Sequence, residues 1–357
     1  MMKKTSFQFK DIIRHMQFVK AKPLVFGRIA IGFFRKNVLR QQVLRSVDLA
    51  ITGDCHYQCV FCSAYRLYKK GGQFLTVEQI RNIWKQCVKL GVIHVNLTGG
   101  EPLLRDLDEI CQIIRNFGPS GFLVSLVSNG LNLTKEKLKR LKRAGLDTLQ
   151  LSIESVNPQK HDELTGMSNG FGKVIEAMNY AKELKLNICL NAVFCHDNAD
   201  EIRRLIDFSR KEHVFLVLNT ASAEGKWQGS DALRLQQKDL AIFNEFMLFP
   251  HVRHDSSVNF SGKRECPAGK ERIHITAYGD VLTCPLVQIS YGNVLEEPLK
   301  DIYKRMCAME HIKSYSVMCK HAFDQEYYER LLLPINKEEK RPVFIFNHPS
   351  YRRSIHE

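Results

Sequence analysis

The stretch VDLAITGDCHYQCVFC, residues 47–62, joins an apolar β-strand to a group of cysteines. Its first six residues are rich in apolar and β-branched side chains, which favour a buried strand. Cys55, Cys59 and Cys62 follow with the spacing C-x3-C-x2-C. Three thiols are one ligand short of the roughly four that close a tetrahedral metal site. The stretch therefore predicts a metal centre with an open position, directly after the first strand.

Stretches of the same composition recur later in the chain, and amphipathic helical patterns separate them. The stretches are 94–99, 122–129, 148–155, 187–194 and 214–220. Strands that alternate with helices pair in parallel through right-handed crossovers. We therefore predict an α/β fold, a partial (β/α)6 TIM-like barrel, followed by a small Cys-rich C-terminal region. In such a barrel the functional residues lie at the carboxyl ends of the strands.

Changes of pattern divide the chain into five predicted parts. These are a basic amphipathic N-terminal extension (1–46), the barrel core (47–222), a linker with a helix (223–265), the Cys-rich region (266–330) and a C-terminal tail at the surface (331–357). A chain of 357 residues with 44% hydrophobic and 25% charged residues is typical of soluble globular proteins. No continuous apolar run follows the first basic residues, so we expect no secretory signal. Eleven clustered cysteines indicate metal or redox chemistry in a reducing compartment, and we expect a cytoplasmic protein.

The positive charge is concentrated in the N-terminal extension. Between Met1 and Val47, eleven lysines and arginines accompany the single acid Asp11, which gives +10 of the formal +14. Apolar residues lie between these bases. Such a segment can lie on an anionic membrane surface or bind an acidic partner. Alternatively, it packs against the main domain through its apolar side. Nucleic-acid binding would also suit the charge, but no recognition motif accompanies it.

The three cysteines after the first strand admit two kinds of metal centre. They are three ligands of a zinc site, or they hold three irons of a [4Fe-4S] cluster and leave the fourth iron open. The pattern C-x3-C-x-aromatic-C, with Phe61 as the aromatic residue, resembles the signature of the radical S-adenosylmethionine (radical SAM) superfamily. The resemblance implies that Cys55, Cys59 and Cys62 hold the cluster and that S-adenosylmethionine chelates the open iron. It also implies an external one-electron reductant of the flavodoxin or ferredoxin type.

Further segments match the same family in the expected order. TGGEP at 98–102 resembles the glycine-rich segment that contacts the methionyl amino group, while SNG (128–130) and SIES (152–155) end the third and fourth strands. On this resemblance, the residues expected to bind S-adenosylmethionine are Phe61, Gly99, Gly100, Glu101, Ser128, Asn129, Ser152, Glu154 and Asn191. Phe61 is implied to pack near the adenine. All the others lie at or near the carboxyl end of a predicted strand, where a barrel site draws its residues.

Four more cysteines lie in the Cys-rich region. Cys266 precedes a strand and Cys284 follows the returning strand, so a hairpin would bring the two thiols close. The pattern C…G-D-V…C-P…G-N resembles the auxiliary-cluster region of the SPASM and twitch subfamilies, without the dense final run of cysteines. The resemblance implies one second [4Fe-4S] cluster on Cys266, Cys284 and Cys319. Cys307 is either a further ligand or a buried thiol of a helix, and a zinc site is the alternative for the whole group.

These features together predict a radical SAM enzyme. The family resemblance implies reductive cleavage of S-adenosylmethionine to a 5′-deoxyadenosyl radical, which abstracts hydrogen from a peptide, lipid-linked or small-molecule substrate in a net oxidation or bond-forming reaction. Cys195, just beyond the fifth strand, is a candidate donor of a second hydrogen atom. One alternative is an iron–sulfur electron carrier or scaffold, which would not need the predicted S-adenosylmethionine pocket. Another is an RNA-modifying radical SAM enzyme.

Overall fold

Six parallel strands form the centre of the computed structural model, which describes residues 22–67, 72–117, 121–222, 225–227, 234–254, 259–262, 265–314, 316 and 318–353. The strands are β1 Ser46–Thr52, β2 His94–Gly99, β3 Leu123–Ser128, β4 Thr148–Ser152, β5 Asn187–Phe194 and β6 Phe215–Thr220. Each pairs in parallel with the next one along the chain. The predicted α/β fold is therefore confirmed, and the observed strands lie within a few residues of the predicted ones.

Five shorter strands extend this sheet at its two edges. They are β7 Val252–Arg253, β8 Arg272–Ile275, β9 Asp280–Leu282, β10 Ile289–Asn293 and β11 Val343–Phe344. The strand order is β11-β10-β9-β8-β1-β2-β3-β4-β5-β6-β7, and among the described residues the two edge strands do not pair, so the barrel is open. β8 runs parallel to β1 and turns back through β9 as the predicted hairpin. The Cys-rich region thus continues the barrel sheet directly.

Helices precede, connect and follow the six central strands, and those that connect the strands cover one face of the sheet. The helices are α1 Leu24–Asn37, α2 Val77–Leu90, α3 Leu107–Phe117, α4 Lys135–Ala144, α5 Pro158–Thr165, α6 Gly170–Glu183, α7 Ala199–Lys211 and α8 Gln237–Phe246. Thr76 caps α2 by accepting a hydrogen bond from the backbone N–H of Gln79, and Gly91 ends that helix in the left-handed conformation. Local sequence therefore sets the ends of this helix.

The two faces of the sheet differ in polarity. Each central strand lies beside the next one along the chain, and every crossover between them is right-handed. The connecting helices therefore all lie on the same face of the sheet. Leu49, Leu97 and Leu149 are buried in the core on that face. Asp48 and Asn96, which alternate with these leucines, are directly paired across β1 and β2 and point to the opposite face. The face away from the helices is therefore polar, and it forms the inner side of the partial barrel.

The first helix packs on the outside of the barrel. Within α1, Gly32 lies so close to Phe260 that a Cβ at this position would be 2.4 Å from the ring. The amide of Asn37 donates to the carbonyl of Phe260 at 2.8 Å, and Lys22 forms an ion pair with Asp147 at 2.6 Å. This part of the predicted basic extension packs against the main domain. Residues 1–21 of the extension lie outside the described residues.

The end of the chain contributes to the core. It contains α9 Leu299–Ala308, α10 Glu310–Lys313, α11 Lys320–Phe323, α12 Gln325–Tyr327 and α13 Pro349–Arg353, a π-helical segment Tyr328–Leu332, and 3₁₀ turns at Leu333–Ile335 and Ile345–Asn347; two earlier 3₁₀ turns are Pro102–Leu104 and Gly225–Trp227. The expectation of a surface tail is wrong for its described part, because β11 pairs with β10 and Ile345 and His348 are fully buried. A two-residue strand is too short to leave a periodic pattern in the sequence. None of the described helices has the length and apolar character needed to span a membrane.

Candidate active site

The first cysteine group lies on a loop at the carboxyl end of β1. Cys55 is exposed, and Cys59 and Cys62 are half-buried and free of disulfides. The backbone N–H of Cys62 donates to the carbonyl of Cys59 at 3.3 Å, which makes a tight turn between the two. The N–H of Gln58 donates to the carbonyl of Thr165 at 3.0 Å, at the end of α5. These hydrogen bonds hold the loop, with all three predicted ligands, at the carboxyl end of β1.

Withdrawal from water keeps these thiols protonated in the metal-free chain. Although Cys55 is exposed as a residue, partial desolvation of its thiol raises the pKa to about 11, and the nearby carboxylate of Glu101 adds to this effect. The pKa of Cys59 is raised well above its ordinary value by burial first, then by Cys62 and Glu154. A metal must displace these protons, because the thiolate is the ligand. A cationic cluster would relieve the repulsion that disfavours three thiolates here.

The donor set fits an iron–sulfur cluster. Three thiols are soft ligands, which suit iron–sulfur clusters and zinc better than magnesium or calcium. A cluster distributes its thiolates over separate irons, so three thiols hold three irons and leave the fourth open.

The glycine-rich segment after β2 lies directly against the base of this loop. The N–H of Gly100 donates to the carbonyl of Thr52 at 3.0 Å, and that of Glu101 donates to the carbonyl of Asp54 at 2.6 Å. A Cβ at Gly99 would lie 2.2 Å from the Thr52 oxygen, and one at Gly100 would lie 2.1 Å from the Asp54 oxygen. Only glycine permits this approach. The predicted contact of the segment with S-adenosylmethionine stays a prediction, but its place beside the cysteine loop is observed.

Glu101 connects the ends of β2 and β3. Its carboxylate is 1% exposed and accepts hydrogen bonds from the Leu103 N–H at 3.1 Å, the Ser128 hydroxyl at 2.9 Å and the Asn129 N–H at 2.8 Å. Burial raises the pKa of Glu101 to about 7, against the effect of these donors. Three of the predicted S-adenosylmethionine contacts thus also form one hydrogen-bonded group. The geometry gives Glu101 a positioning role, and its direct contact with S-adenosylmethionine stays a prediction.

The predicted residues of β4 and β5 lie side by side. Ser152 pairs with Asn191 in the parallel register. Glu154 is buried and its carboxylate accepts the Val193 N–H at 3.0 Å. Burial raises the pKa of Glu154 to about 8. These residues therefore lie together at the carboxyl ends of the two strands.

A hydrogen-bonded row of polar side chains crosses the inner face of the sheet, and the sequence analysis did not predict it. Arg272 donates to Asp48 at 2.6 Å, Asn96 to the other oxygen of Asp48 at 3.2 Å, Gln150 to Asn96 at 3.2 Å, and Asn191 to Gln150 at 3.1 Å. We call these five residues the polar row. The sequence does contain a pattern that could have predicted this row, because each member is a polar residue that alternates with apolar ones within its strand.

Phe61 and Cys195 lie at the edges of this site. The ring of Phe61 packs edge-on against Trp227, with centroids 6.1 Å apart. Cys195 follows β5 and is 6% exposed, and its backbone N–H donates to Asn198 at 2.9 Å. Burial raises the pKa of the Cys195 thiol. The roles of Phe61 beside adenine and of Cys195 as a hydrogen donor stay predictions.

The second cysteine group gathers three of its four thiols. Cys319 donates a hydrogen bond to Cys266, which lowers the pKa of the Cys266 thiol. Burial, together with the charge of Cys266, raises the pKa of Cys284 to about 12. A small cavity lies beside Cys266 and Cys284. The thiol of Cys307 instead donates to the carbonyl of Gly269 at 3.5 Å. The structure therefore favours the interpretation of Cys307 as a helix thiol.

The Cys-rich region also contacts the far edge of the barrel. His321 and Thr220, at the end of β6, are 3.2 Å apart through Nε2 and Oγ1. The hydroxyl of Ser222 donates to the carbonyl of Leu286 at 3.2 Å. The side-chain amide of Gln288 donates to the carbonyl of Ser63, immediately after the first cysteine group. Side chains of this region thus connect the two edges of the open barrel.

Comparisons with known proteins agree with this geometry. The radical SAM superfamily model matches residues 49–209, and the iron–sulfur cluster-binding SPASM model matches residues 266–326. The chain is 33% identical over 265 residues to a GTP 3′,8-cyclase of Aquifex aeolicus, covering 68% of this chain and 82% of the relative. It is 27% identical over 273 residues to a PqqA peptide cyclase of Rhizobium meliloti, covering 71% and 72%.

A solved structure supports the fold. Streptococcus suis SuiB bound to its precursor peptide SuiA superposes with a TM-score of 0.59 at 18% identity, covering 75% of this chain and 68% of that one. The identity is too low to carry more than the fold. The chain therefore belongs to the radical SAM superfamily with a SPASM-type C-terminal region, and its cofactors are S-adenosylmethionine and [4Fe-4S] clusters.

Proposed function

We propose that this enzyme uses S-adenosylmethionine to abstract hydrogen from a polar substrate bound on the inner face of the sheet, in a net oxidation or bond-forming reaction. When bound, the cluster of Cys55, Cys59 and Cys62 supplies the electron that cleaves S-adenosylmethionine to a 5′-deoxyadenosyl radical. The chain itself binds and orients the reactants and excludes water from them. The polar row is the observation that supports this substrate class.

The first task of the chain is to hold the reactants still. The backbone contacts of Gly100 and Glu101 with Thr52 and Asp54 fix the cysteine loop relative to β2. The carboxylate of Glu101 then fixes the end of β3 through Ser128. A reacting atom placed on this frame keeps its position relative to the loop, which is the contribution that rigid positioning makes to catalysis.

The second task is to recognise the substrate. The inner face offers the amides of Asn96, Gln150 and Asn191 and the ion pair of Arg272 with Asp48. The buried Oδ1 of Asn191 has no hydrogen-bond partner among the described residues. An unpaired buried acceptor is costly, and a substrate donor would satisfy it. A substrate with several hydrogen-bonding groups fits this face better than an alkyl chain.

The names of the relatives are in line with a polar substrate. One is a GTP cyclase and one a peptide cyclase. A nucleotide and a peptide both carry many hydrogen-bonding groups. We therefore place polar small molecules and peptides ahead of lipid chains, while a polar head group on a lipid remains compatible with the same face.

The experiment that tests the proposed chemistry is detection of 5′-deoxyadenosine. The protein is reconstituted anaerobically with iron and sulfide, reduced, and incubated with S-adenosylmethionine with or without added nucleotides and peptides. We expect nucleoside from the wild type and none from Cys59→Ala. Cys87→Ala, which removes a buried thiol of α2, is the matched control and should retain the activity. A loaded wild type that yields no nucleoside under any of these conditions would favour the electron-carrier alternative.

We also propose that α1 contacts an anionic lipid surface. Its outward face carries Leu24, Ile31 and Phe34, which are 66%, 58% and 53% exposed, and Val38, 62% exposed, follows directly after the helix. Their spacing along the chain places them on one side of the helix. The helix also contains Arg28, Arg35 and Lys36, and such bases are attracted to anionic head groups. An apolar face with flanking positive charge suits a peripheral membrane contact.

Vesicle flotation tests this contact. The wild type should float with vesicles of phosphatidylglycerol and phosphatidylcholine, and less with phosphatidylcholine alone. Ile31→Asp combined with Phe34→Asp should reduce the bound fraction several-fold. Leu248→Asp alters an exposed leucine outside α1, 77% exposed, and should bind like the wild type. Equal binding of all three proteins would contradict the proposal.

A further inference from the structure

His321 lies on α11 beside the second cysteine group and lines its cavity together with Cys266 and Cys284. Its side chain is 5% exposed. One ring nitrogen, Nε2, is 3.2 Å from the hydroxyl of Thr220. The other, Nδ1, is buried without a hydrogen-bond partner among the described residues. A buried polar atom without a partner is rare in folded proteins and requires an explanation.

Metal binding explains this arrangement. A histidine that ligates a metal through one nitrogen usually has the other nitrogen held by a hydrogen bond, which fixes the ring. Thr220 makes that hydrogen bond here. An imidazole replaces thiolates as an iron ligand in some iron–sulfur proteins. We propose that Nδ1 of His321 supplies the fourth protein ligand of the auxiliary cluster, beside Cys266, Cys284 and Cys319. The proposal rests on the auxiliary cluster that family membership implies, and on nothing about the substrate.

The other candidate donors near the cavity have partners. Nε2 of His254 lies 3.3 Å from the sulfur of Cys319, where it can donate a hydrogen bond to a bound thiolate. Nε2 of His311 lies 2.6 Å from the hydroxyl of Tyr291. The thiol of Cys307 donates to Gly269. Among these groups, His321 alone has a fully buried ring nitrogen without a hydrogen-bond partner in the described structure, and it also lines the cavity.

A closed set of four ligands has a functional consequence. With every iron occupied, the auxiliary cluster holds no position for a substrate atom, so it acts as an electron relay. A neutral imidazole also leaves the cluster less negative than a fourth thiolate does, which raises its reduction potential. The buried ammonium of Lys320, the residue before His321, lies in the same environment and acts in the same direction.

Nitrogen hyperfine spectroscopy tests the ligand directly. The full chain with Cys55, Cys59 and Cys62 all changed to alanine carries only the auxiliary cluster. It is labelled with ¹⁵N-histidine, reconstituted and reduced, and its iron content should be about four per chain. We expect a strongly coupled ¹⁵N signal in pulsed EPR. The signal should be lost in His321→Ala and retained in His254→Ala and His311→Ala.

His321→Cys keeps the test decisive if the alanine variant loses its cluster. This variant should bind as much iron as its parent, lack the ¹⁵N coupling and have a lower reduction potential. A parent without strong ¹⁵N coupling, a parent without a cluster, or a coupling that survives in both His321 variants would overturn the proposal. None of these results depends on cleavage of S-adenosylmethionine, so they are separate from the outcome for the proposed function.

Discussion

Glu101 and Glu154 show how single residues set the properties of the site. Both carboxyl groups are almost fully buried beside the cysteine loop, and burial raises the pKa of Glu101 to about 7 and that of Glu154 to about 8. Glu101 accepts hydrogen bonds from three donors, whereas Glu154 accepts one in the described structure, from the Val193 N–H. The additional hydrogen bonds stabilise the ionised form of Glu101, so its pKa is raised less than that of Glu154. A proton held at either group also reduces the negative charge beside the thiols.

The raised pKa of Glu154 makes stability depend on pH. The folded chain keeps a proton that the unfolded chain, with a pKa near 4.5, releases. Stability is therefore greatest below pH 4.5 as far as this group is concerned, and it falls as pH rises towards about 8. Glu154→Gln keeps an acceptor for the Val193 N–H but cannot ionise. We expect this variant to lose roughly 2–4 kcal/mol less unfolding free energy than the wild type as the pH rises.

Denaturant unfolding of the metal-free chain between pH 5 and 8 measures this decline. Glu163→Gln, at an exposed position of α5, is the control and should leave it unchanged. A Glu154→Gln variant with the same pH dependence as the wild type would show that the carboxyl is already ionised in the folded chain.

Among the elements, the turn after β2 depends most on its amino-acid sequence. Gly100→Ala would place a Cβ 2.1 Å from the Asp54 carbonyl, so the cysteine loop must move away. A displacement on this scale in a catalytic site costs about 10²-fold in rate. We expect a loss of 5′-deoxyadenosine formation of that order, measured on protein with matched iron content.

Gly27→Ala is the matched control for this prediction. A Cβ at Gly27, inside α1, would meet nothing within 4 Å. Alanine is favoured over glycine within a helix by about 1 kcal/mol. The control should keep its activity and unfold at the same or a slightly higher temperature. Normal activity of Gly100→Ala would show that the loop is not held by this contact.

The polar row makes β8 and β1 depend on each other. Asp48→Asn would leave the partly buried guanidinium of Arg272 without its carboxylate, since the Asp48 side chain is 4% exposed and that of Arg272 15%. Breaking such a pair from one side costs about 3 kcal/mol or more. We expect Asp48→Asn to be destabilised by that amount in denaturant unfolding. The double variant with Arg272→Met should recover part of this lost stability. If the double variant instead loses the sum of the two single losses in unfolding free energy, the pair is not coupled.

Local elements were predictable from the sequence, whereas contacts between distant residues were not. The strands and the capped ends of α2 follow from composition, periodicity and capping residues within a few positions. The partnership of Asp48 with Arg272 joins residues 224 positions apart, and nothing in the sequence near either one specifies the other. The same holds for His321 with Thr220, 101 positions apart. The first cysteine group was predictable because all its members lie within one loop.

At the scale of the whole molecule, the barrel and the Cys-rich region share one sheet. β8 pairs with β1 over four residues, and β1 also carries the first cysteine loop at its end. Strands joined by a continuous ladder tend to unfold as one cooperative unit. Loss of the auxiliary cluster should therefore also destabilise β1 in the barrel.

Hydrogen exchange measures this coupling. We expect the combined change of Cys266, Cys284 and Cys319 to alanine to lower the melting temperature by several degrees, on the order of 1–2 kcal/mol. Amide protection should fall together in β8 and β1, while α4, on the far side of the barrel, serves as the internal reference. Loss of protection confined to β8–β10 would show that the Cys-rich region unfolds independently.

The hydrogen bond from Gln288 to Ser63 joins the neighbourhoods of the two cysteine groups. Ser63 is covalently attached to Cys62, and the N–H of Val287, adjacent to Gln288, donates to the carbonyl of Cys284 at 3.2 Å. Covalent bonds and two hydrogen bonds thus form an unbroken route from one sulfur to the other. Electron tunnelling is favoured along bonds over gaps, and the fully buried amide of Gln288 supplies a bonded route of this kind between the two metal centres.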